Sequence, residues 1–151
     1  MTSPDLKVVA DTAPVPGLEA KYFTDRDLFE RILEQVFYRN WLLACHSSQL
    51  ANPGDYLTLT LYNQDIVIAH GQDGELKAFY NVCQHRGHKL AEGSGNKKLL
   101  VCPYHRWSYD LDGRLKAAPN SHSVPGFNAS EICLTSIRVE NFLGFVFINL
   151  D

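Results

Sequence analysis

The chain has 151 residues, of which 45% are hydrophobic and 21% charged, and its formal net charge is −3. This composition is that of an ordinary globular protein, and the length suits a single domain with its own core. The weak negative charge argues against nucleic acid and anionic membranes as partners. The first residues lack the basic and apolar regions of a signal peptide, so we expect a cytoplasmic location without a disulfide scaffold.

The N-terminal part divides into an arm and a helix. Residues 1–20 carry three prolines and no steady periodicity, which predicts an irregular arm. Apolar residues then recur at helical spacing between positions 28 and 36, and they predict one helix over about residues 25–38. Thr24 followed by Asp27 resembles a capping box at its start. We expect this helix to pack one face on the domain and to carry no chemistry.

From Trp41 onwards the hydrophobic pattern changes to short alternating runs, which predict strands. We expect tight turns at Asn63-Gln64, Asp73-Gly74 and Asp112-Gly113, and a bend over residues 141–144. Many short strands with turns at close intervals are typical of a compact antiparallel sandwich or barrel. The predicted strand segments are WLLAC, TLTLY, DIVIAH, ELKAFYN, KLLVC, RWSYD, RLKAA, ICLTSIRVE and GFVFINL.

Two Cys/His pairs lie between Asn81 and Trp107, as Cys83-x-His85 and Cys102-x-x-His105. Thiolate and imidazole ligands suit either a tetrahedral zinc ion or a [2Fe–2S] cluster with the cysteines on one iron and the histidines on the other. Each pair supplies one cysteine and one histidine, so each loop would contact both irons of a cluster. This pairing favours the two-iron centre, although zinc remains open at this point.

The remaining cysteines and histidines are expected to have structural roles. Cys45 and Cys133 lie among apolar residues and are predicted to be small buried hydrophobic side chains. His46, His70 and His122 lie outside the two loops, and we expect them to be surface or hydrogen-bonded histidines.

The motifs C-x-H-R-G and C-P-Y-H-x-W, with sixteen residues between His85 and Cys102, resemble the Rieske [2Fe–2S] signature. With YRNWLLACHSSQL, NPGDYLTL, YDLDGRL and GFVFINLD, the resemblance covers residues 21–151. The chain resembles the N-terminal domain of the catalytic alpha subunit of Rieske non-haem iron oxygenases of the aromatic-ring-hydroxylating type. The resemblance implies a Rieske-type antiparallel β-sandwich or barrel, with one N-terminal helix and a small cluster-binding subdomain formed by loops 81–88 and 102–109.

By this resemblance the chain binds one [2Fe–2S] cluster, with Cys83 and Cys102 on one iron and His85 and His105 on the other. No further cysteine follows either pair, so the loop-bridging disulfide of respiratory Rieske proteins is not expected. The residues expected around the cluster are Arg86, Tyr104, Arg106, Trp107 and Tyr109.

Two positions depart from the usual pattern of these oxygenases. Arg106 occupies a position that is commonly small, and its guanidinium group would favour electron uptake or form a docking contact. His88 occupies a position that is often alanine, and a packing or surface role is expected for it.

The resemblance implies one-electron transfer, with the domain receiving electrons for a dioxygenase or monooxygenase component. The chain has no Asp/Asn-x-x-His-x(3–4)-His motif for the mononuclear iron, so we assign no catalytic residue and expect the oxygen-activating domain to lie elsewhere. The alternatives are a freestanding Rieske ferredoxin and a zinc-stabilised binding module. The implied partners are an electron-donating reductase or ferredoxin supplied by NAD(P)H and a neighbouring oxygenase subunit in a trimer. The stretches HRGH and GFVFINLD are most similar to oxygenases of quaternary ammonium compounds.

Overall fold

The protein is described by a computed structural model that covers residues 17–121 and 123–151. Most of the predicted N-terminal arm therefore lies outside the described residues, as does His122. Residues 17–20 are exposed and belong to no helix or strand. Among the described residues, no helix is long and apolar enough to cross a membrane.

The predicted helix is present, but it is shorter than expected and begins with a different cap. The helical elements are α1 at Lys21–Thr24, α2 at Arg26–Gln35 and a 3-10 turn at Phe37–Arg39. The Asp25 side chain accepts a hydrogen bond from the Leu28 backbone N–H at 3.0 Å, so Asp25 caps α2. The prediction of Thr24 as the cap was wrong, because its hydroxyl donates to the carbonyl that precedes α1. Only Leu33 of α2 is buried, so the contact of this helix with the domain is narrow.

The predicted antiparallel β-architecture is confirmed, and it consists of two sheets. The larger sheet has the strand order β1-β10-β9-β4-β3-β2-β5, and the smaller has the order β6-β7-β8. All paired strands are antiparallel. The bounds are β1 Leu42–His46, β2 Asp55–Leu61, β3 Gln64–His70, β4 Leu76–Tyr80, β5 Ser94–Asn96, β6 Leu100–Val101, β7 Ser108–Tyr109, β8 Leu115–Ala117, β9 Ser136–Phe142 and β10 Phe145–Asn149, with further 3-10 turns at Ser47–Leu50 and Ala129–Glu131.

Two details of the strand pairing differ from the sequence-based expectation. Leu61 pairs with Gln64, so the hairpin turn is formed by Tyr62 and Asn63 and not by Asn63-Gln64. Tyr62 adopts a left-handed backbone with φ of 56°, as the first residue of such a tight turn requires. No strand was predicted for the segment containing Gly95, yet β5 pairs with β2 and forms the edge of the larger sheet.

The larger sheet is buried on both faces at β3, because this strand sends alternate side chains into two separate cores. Ile66 and Ile68 join a core formed within the larger sheet, together with residues of β1, β9 and β10. Val67 and Ala69 point the opposite way, into a core shared with the smaller sheet. All four side chains are fully buried. The second core contains Cys83. The loops with the predicted metal ligands therefore pack on the face of the larger sheet that carries Val67 and Ala69.

One of the two structural cysteines is not where the sequence predicted. Cys45 is buried in the core of the larger sheet, as expected, whereas Cys133 is exposed. Cys133 forms an isolated β-bridge with Arg114, and its neighbours Ile132 and Leu134 turn inwards. Because side chains alternate across an extended segment, Cys133 points to solvent.

Candidate metal centre

Two loops carry the predicted ligands, and they repeat the same backbone hydrogen bonds. The carbonyl of Cys83 accepts from the N–H of Gly87 at 2.9 Å, and the N–H of Cys83 donates to the carbonyl of His88 at 2.8 Å. In the second loop Cys102 makes the corresponding bonds, with the N–H of Arg106 at 3.0 Å and the carbonyl of Trp107 at 2.8 Å. Each loop is therefore a tight turn, and the residue four positions after its cysteine must close it.

That closing residue is left-handed in both loops. Gly87 has φ of 70°, and Arg106 has φ of 59°. Glycine adopts this conformation readily, whereas a residue with a side chain is strained there by about 1 kcal/mol. The geometry thus gives a reason for the small residue that the resemblance led us to expect at the Arg106 position. It also means that the arginine side chain at this position lowers the stability of the fold.

The loops hold the two thiols in the interior. Cys83 and Cys102 are each 1% exposed, and both belong to the core shared by the two sheets. Burial raises the pKa of the Cys83 thiol, although hydrogen bonds from Tyr109 and the His85 backbone act in the opposite direction. A bound metal ion would deprotonate such a thiol outright. The cysteines are therefore protected from water and are suited to ligation.

The two imidazoles lie together beside the thiols. The rings of His85 and His105 are 4.7 Å apart between centroids and nearly perpendicular. Burial, followed by the proximity of His105 and then of Arg86, lowers the pKa of His85. A lowered pKa favours the neutral imidazole, which is the form that binds a metal.

Each imidazole has one unpaired nitrogen atom, and these atoms indicate whether the residues fit a metal centre. Nδ1 of His85 and Nδ1 of His105 are both buried and have no hydrogen-bond partner among the described residues. Buried polar atoms are nearly always paired, so each of these nitrogens needs another partner. An iron or zinc ion on each Nδ1 would supply it. Two orphaned nitrogens next to two buried thiols fit the predicted donor set.

The four candidate ligands include a pair of neighbouring thiols and a pair of neighbouring imidazoles. Within residues 17–121 and 123–151, no three His, Cys, Asp or Glu side chains lie close enough to hold a single ion. The loops instead present one pair of thiols and one pair of imidazoles. This is the donor arrangement of a two-iron cluster with sulfur on one iron and nitrogen on the other.

Aromatic side chains enclose the histidines. Trp107 stacks on His85 with ring centroids 4.7 Å apart, and Tyr104 lies over His105 at 3.8 Å. The Trp107 ring in turn contacts the Phe127 ring edge to face. These contacts fix the orientation of both imidazoles and keep water from their inner edges.

A buried tyrosine is hydrogen-bonded to the first cysteine. The hydroxyl of Tyr109 accepts from the Gln84 backbone N–H at 3.1 Å and lies 3.4 Å from Sγ of Cys83. Since the oxygen already accepts from Gln84, its proton is free to donate to the sulfur. Burial first, and the neighbouring sulfur second, raise the pKa of Tyr109, so the proton stays in place. Tyr109, which was expected to lie near the cluster, therefore acts as a hydrogen-bond donor to the Cys83 sulfur.

Asn81 supports the first loop, and sequence reasoning did not find it. Its side chain is buried, accepts from the backbone N–H groups of Leu90 and Ala91 at 3.1 Å each, and donates to the Ala91 carbonyl at 2.8 Å. It thus joins the start of the loop to its end. A polar residue directly after the apolar strand β4 was the only local signal.

An open cleft of about 650 Å³ lies against the histidine pair. The exposed Arg86 and Arg106 line it, as do His85, His105 and Trp107. Another part of its wall comes from the segment that follows β8, which sequence reasoning did not connect with the site. The residues of that wall are Pro119, Asn120, Ser121, Val124 and Phe127.

The other histidines do not join this site in the described structure. Nδ1 of His70 is 2.8 Å from the Leu50 carbonyl, and His46 caps the 3-10 turn that follows β1. His88 is exposed, and its ring contacts that of Tyr104 with centroids 5.7 Å apart. These are hydrogen-bonding and packing roles.

Comparison with known proteins agrees with this geometry. The family model for the Rieske [2Fe-2S] domain matches residues 40–128. The carnitine monooxygenase oxygenase subunit of Escherichia coli (strain K12) is 44% identical over 135 residues, which are 89% of this chain and 36% of that protein. The large oxygenase component of the naphthalene 1,2-dioxygenase system of Pseudomonas aeruginosa is 37% identical over 137 residues, covering 87% of this chain and 30% of that protein.

A solved structure shows the same fold. The quaternary ammonium Rieske monooxygenase CntA, in complex with substrate L-carnitine, superimposes with a TM-score of 0.83 at 43% identity, over 87% of this chain and 38% of that one. The chain thus spans about a third of the length of the relatives that it matches. With its two-sheet fold, its paired loops and a family match over more than half its length, the chain belongs to the Rieske [2Fe-2S] domain family, in the form carried by Rieske oxygenase alpha subunits.

Proposed function

We propose that Cys83 and Cys102 hold one iron of a Rieske [2Fe–2S] cluster and that His85 and His105 hold the other. The observation that carries this assignment is the pair of orphaned Nδ1 atoms beside two buried thiols. Such a cluster supplies one-electron transfer without making or breaking covalent bonds. The proposed function of this chain is therefore to receive single electrons on behalf of an oxygenase.

The residues around the proposed cluster have different roles on its buried side and on its open side. On the buried side, Tyr109 donates to the Cys83 sulfur and stabilises negative charge there. On the open side, the imidazoles of His85 and His105 line the cleft, which gives a partner its shortest route to the metal ligands. Trp107 holds His85 by stacking and limits the access of water. Electrons would therefore enter and leave through the cleft.

We further propose that the domain serves an oxygenase of quaternary ammonium compounds. Its identity to the E. coli carnitine monooxygenase subunit is 44%, compared with 37% to the naphthalene dioxygenase component. Its partners would be an NAD(P)H-dependent reductase or ferredoxin and the mononuclear-iron domain of a neighbouring subunit. The oxygenase that this domain serves, supplied with its reductase, should oxidise L-carnitine or a related compound and leave naphthalene unchanged. The reverse preference would contradict this substrate class.

Spectroscopy of the purified chain tests the cluster assignment. The dithionite-reduced protein should give a Rieske-type low-temperature EPR signal, and metal analysis should find two irons per chain. A colourless, EPR-silent protein containing one zinc ion would refute the proposal. Replacement of His105 with cysteine should leave an assembled centre with an altered spectrum, and an unchanged spectrum would contradict the role of His105.

A further inference from the structure

The Trp107 ring connects the two metal loops. Its backbone belongs to the second loop, where the Trp107 carbonyl accepts from the Cys102 N–H at 2.8 Å. Its side chain stacks on His85 of the first loop, with 12° between the ring planes. Trp107 is 8% exposed, so this contact is largely shielded from water. The orientation of the His85 imidazole therefore depends on how firmly Trp107 is held.

A third segment of the chain supports Trp107. The Phe127 ring contacts the Trp107 ring with 5.7 Å between centroids and 71° between planes. Aromatic rings favour this edge-to-face arrangement, and such a pair stabilises a structure beyond the apolar area that it buries. Phe127 is half-buried and packs against the core shared by the two sheets. The rings of His85, Trp107 and Phe127 thus form one row of contacts that ends in the segment after β8.

The backbone holds Phe127 on both sides. Gly126 has φ of 74°, so the chain turns immediately before Phe127. The Phe127 N–H donates to the Val124 carbonyl at 3.2 Å. Asn128 follows and caps the 3-10 turn Ala129–Glu131 by accepting a backbone hydrogen bond at 3.1 Å. Phe127 therefore belongs to a hydrogen-bonded turn, which gives Trp107 a fixed support.

Among the described residues, the second imidazole has weaker support than the first. The ring that lies over His105 belongs to Tyr104, which is 58% exposed. The Tyr104 ring also contacts His88, which is itself exposed. His85 is thus supported by a row of rings that reaches the core, whereas His105 is covered by a surface side chain. A change at Phe127 should consequently reach one imidazole and not both.

We propose that Phe127 is a positioning residue for the metal centre, which fixes the plane of the His85 imidazole by holding Trp107. This inference rests on the proposed cluster assignment, and it adds a residue that does not itself contact a ligand. Residues around a metal site orient its ligands, and their replacement typically weakens metal binding about 10- to 100-fold. The segment after β8 would thereby take part in holding the cluster, in addition to the two metal loops.

The nitrogen hyperfine couplings of the two histidine ligands test this role. Phe127→Leu removes the ring and keeps an apolar side chain. The cluster-loaded chain is reduced with dithionite and studied by electron–nuclear double resonance. We expect the coupling of one histidine to change and that of the other to stay as in wild type. Trp107→Phe should change the same coupling, and an iron chelator should remove the cluster from Phe127→Leu about 10-fold faster than from wild type.

Two control variants separate positioning from general stability. Phe127→Tyr keeps the ring and should restore the wild-type couplings and the wild-type rate of cluster loss. Phe37→Leu removes another half-buried ring, which contacts Tyr62 at 5.0 Å and lies outside the core of the metal loops. It should leave both couplings unchanged, even where it lowers the melting temperature as much as Phe127→Leu does.

The metal-free chain gives a second measurement. The sequence has two tryptophans, so the Trp41→Phe background leaves Trp107 as the only indole. Near-ultraviolet circular dichroism of the indole should weaken when Phe127→Leu is added, because Trp107 loses its edge contact. If the leucine variant does not fold, Phe127→Met replaces it in both measurements, since methionine fills irregular space.

Several results would overturn the proposal. Unchanged couplings in Phe127→Leu, or an unchanged indole signal, would show that Phe127 does not hold the row of rings. Equal changes in both histidine couplings would show a general loosening of the site. An altered spectrum in Phe37→Leu, or no rescue by Phe127→Tyr, would lead to the same conclusion. A wild-type chain without a Rieske spectrum would refute the proposed function, and the indole measurement would still decide whether Phe127 holds Trp107.

Discussion

At the scale of single residues, the hydroxyl of Tyr109 is the group best placed to set the properties of the centre. Its hydrogen bond to Cys83 stabilises the sulfur more strongly when the centre carries an extra negative charge. Tyr109→Phe should therefore lower the midpoint potential, by roughly 40–60 mV if the hydrogen bond contributes about 1 kcal/mol. Protein-film voltammetry would measure the shift.

The control for this prediction is Tyr104→Phe. Tyr104 also lies against a proposed ligand, but its hydroxyl makes no hydrogen bond to sulfur in the described structure. Its loss should leave the potential nearly unchanged. Equal shifts in the two variants would show that the Tyr109 hydrogen bond has no special role.

Arg106 gives a second prediction at this scale, and it concerns stability. Arg106→Gly removes the left-handed strain at φ of 59° and should stabilise the fold by about 1 kcal/mol. Chemical denaturation followed by far-UV circular dichroism would measure the free energy of unfolding. Arg86→Gly is the matched control, because φ at Arg86 is not positive and the added chain entropy should destabilise the fold. Destabilisation by Arg106→Gly would mean that its side chain makes a stabilising contact.

At the scale of elements, the first metal loop depends on the Asn81 side chain. Three hydrogen bonds join it to the backbone of Leu90 and Ala91, and all of them are shielded from water. Asn81→Ala should destabilise the protein by about 3 kcal/mol, because the loop's buried N–H and carbonyl groups would lose their partner. Thermal unfolding would measure the loss, and visible absorption would show accelerated loss of the cluster.

Asn141→Ala is the comparison for the Asn81 variant. Asn141 is exposed on β9, and its side chain makes no hydrogen bond within the described residues. Its replacement should change the unfolding free energy by less than about 0.5 kcal/mol. If both asparagine variants had similar stabilities, the loop would be held by its turns and not by Asn81.

At the scale of the whole molecule, β3 couples the two cores. Ile68 faces the core of the larger sheet, and its neighbour Val67 faces the core that contains both proposed cysteine ligands. Ile68→Ala should therefore destabilise the entire domain by about 2–5 kcal/mol, although Ile68 lies on the opposite face from the metal loops. Melting curves followed by far-UV circular dichroism and by visible absorption should shift together. A shift in the circular dichroism curve alone would show that the cores unfold separately.

The local sequence pattern was sufficient to predict most strands and the candidate metal ligands of this protein. Alternation of apolar residues predicted the antiparallel β-architecture, and every predicted segment contains or overlaps a strand. The spacing of Cys83, His85, Cys102 and His105 identified the candidate ligands, since the ligands within each loop are close in sequence. The strand β5 was not predicted, because its pairing with β2 is a contact between distant parts of the chain. The other errors occurred at single positions, such as the Asp25 cap, because end points depend on individual hydrogen bonds that periodicity does not encode.

The sequence by itself determined the family, the class of fold and the residues capable of binding metal, because these follow from short-range spacing and side-chain chemistry. Only the tertiary structure showed which distant side chains contact those residues and which cleft exposes them to solvent. Tyr109 lies 26 positions from Cys83, and the cleft wall at Phe127 lies 20 positions beyond Trp107. The positive φ of Arg106 likewise became visible only when its loop was seen to match that of Gly87. Contacts between distant positions depend on how the sheets pack, and no local pattern in the chain records them.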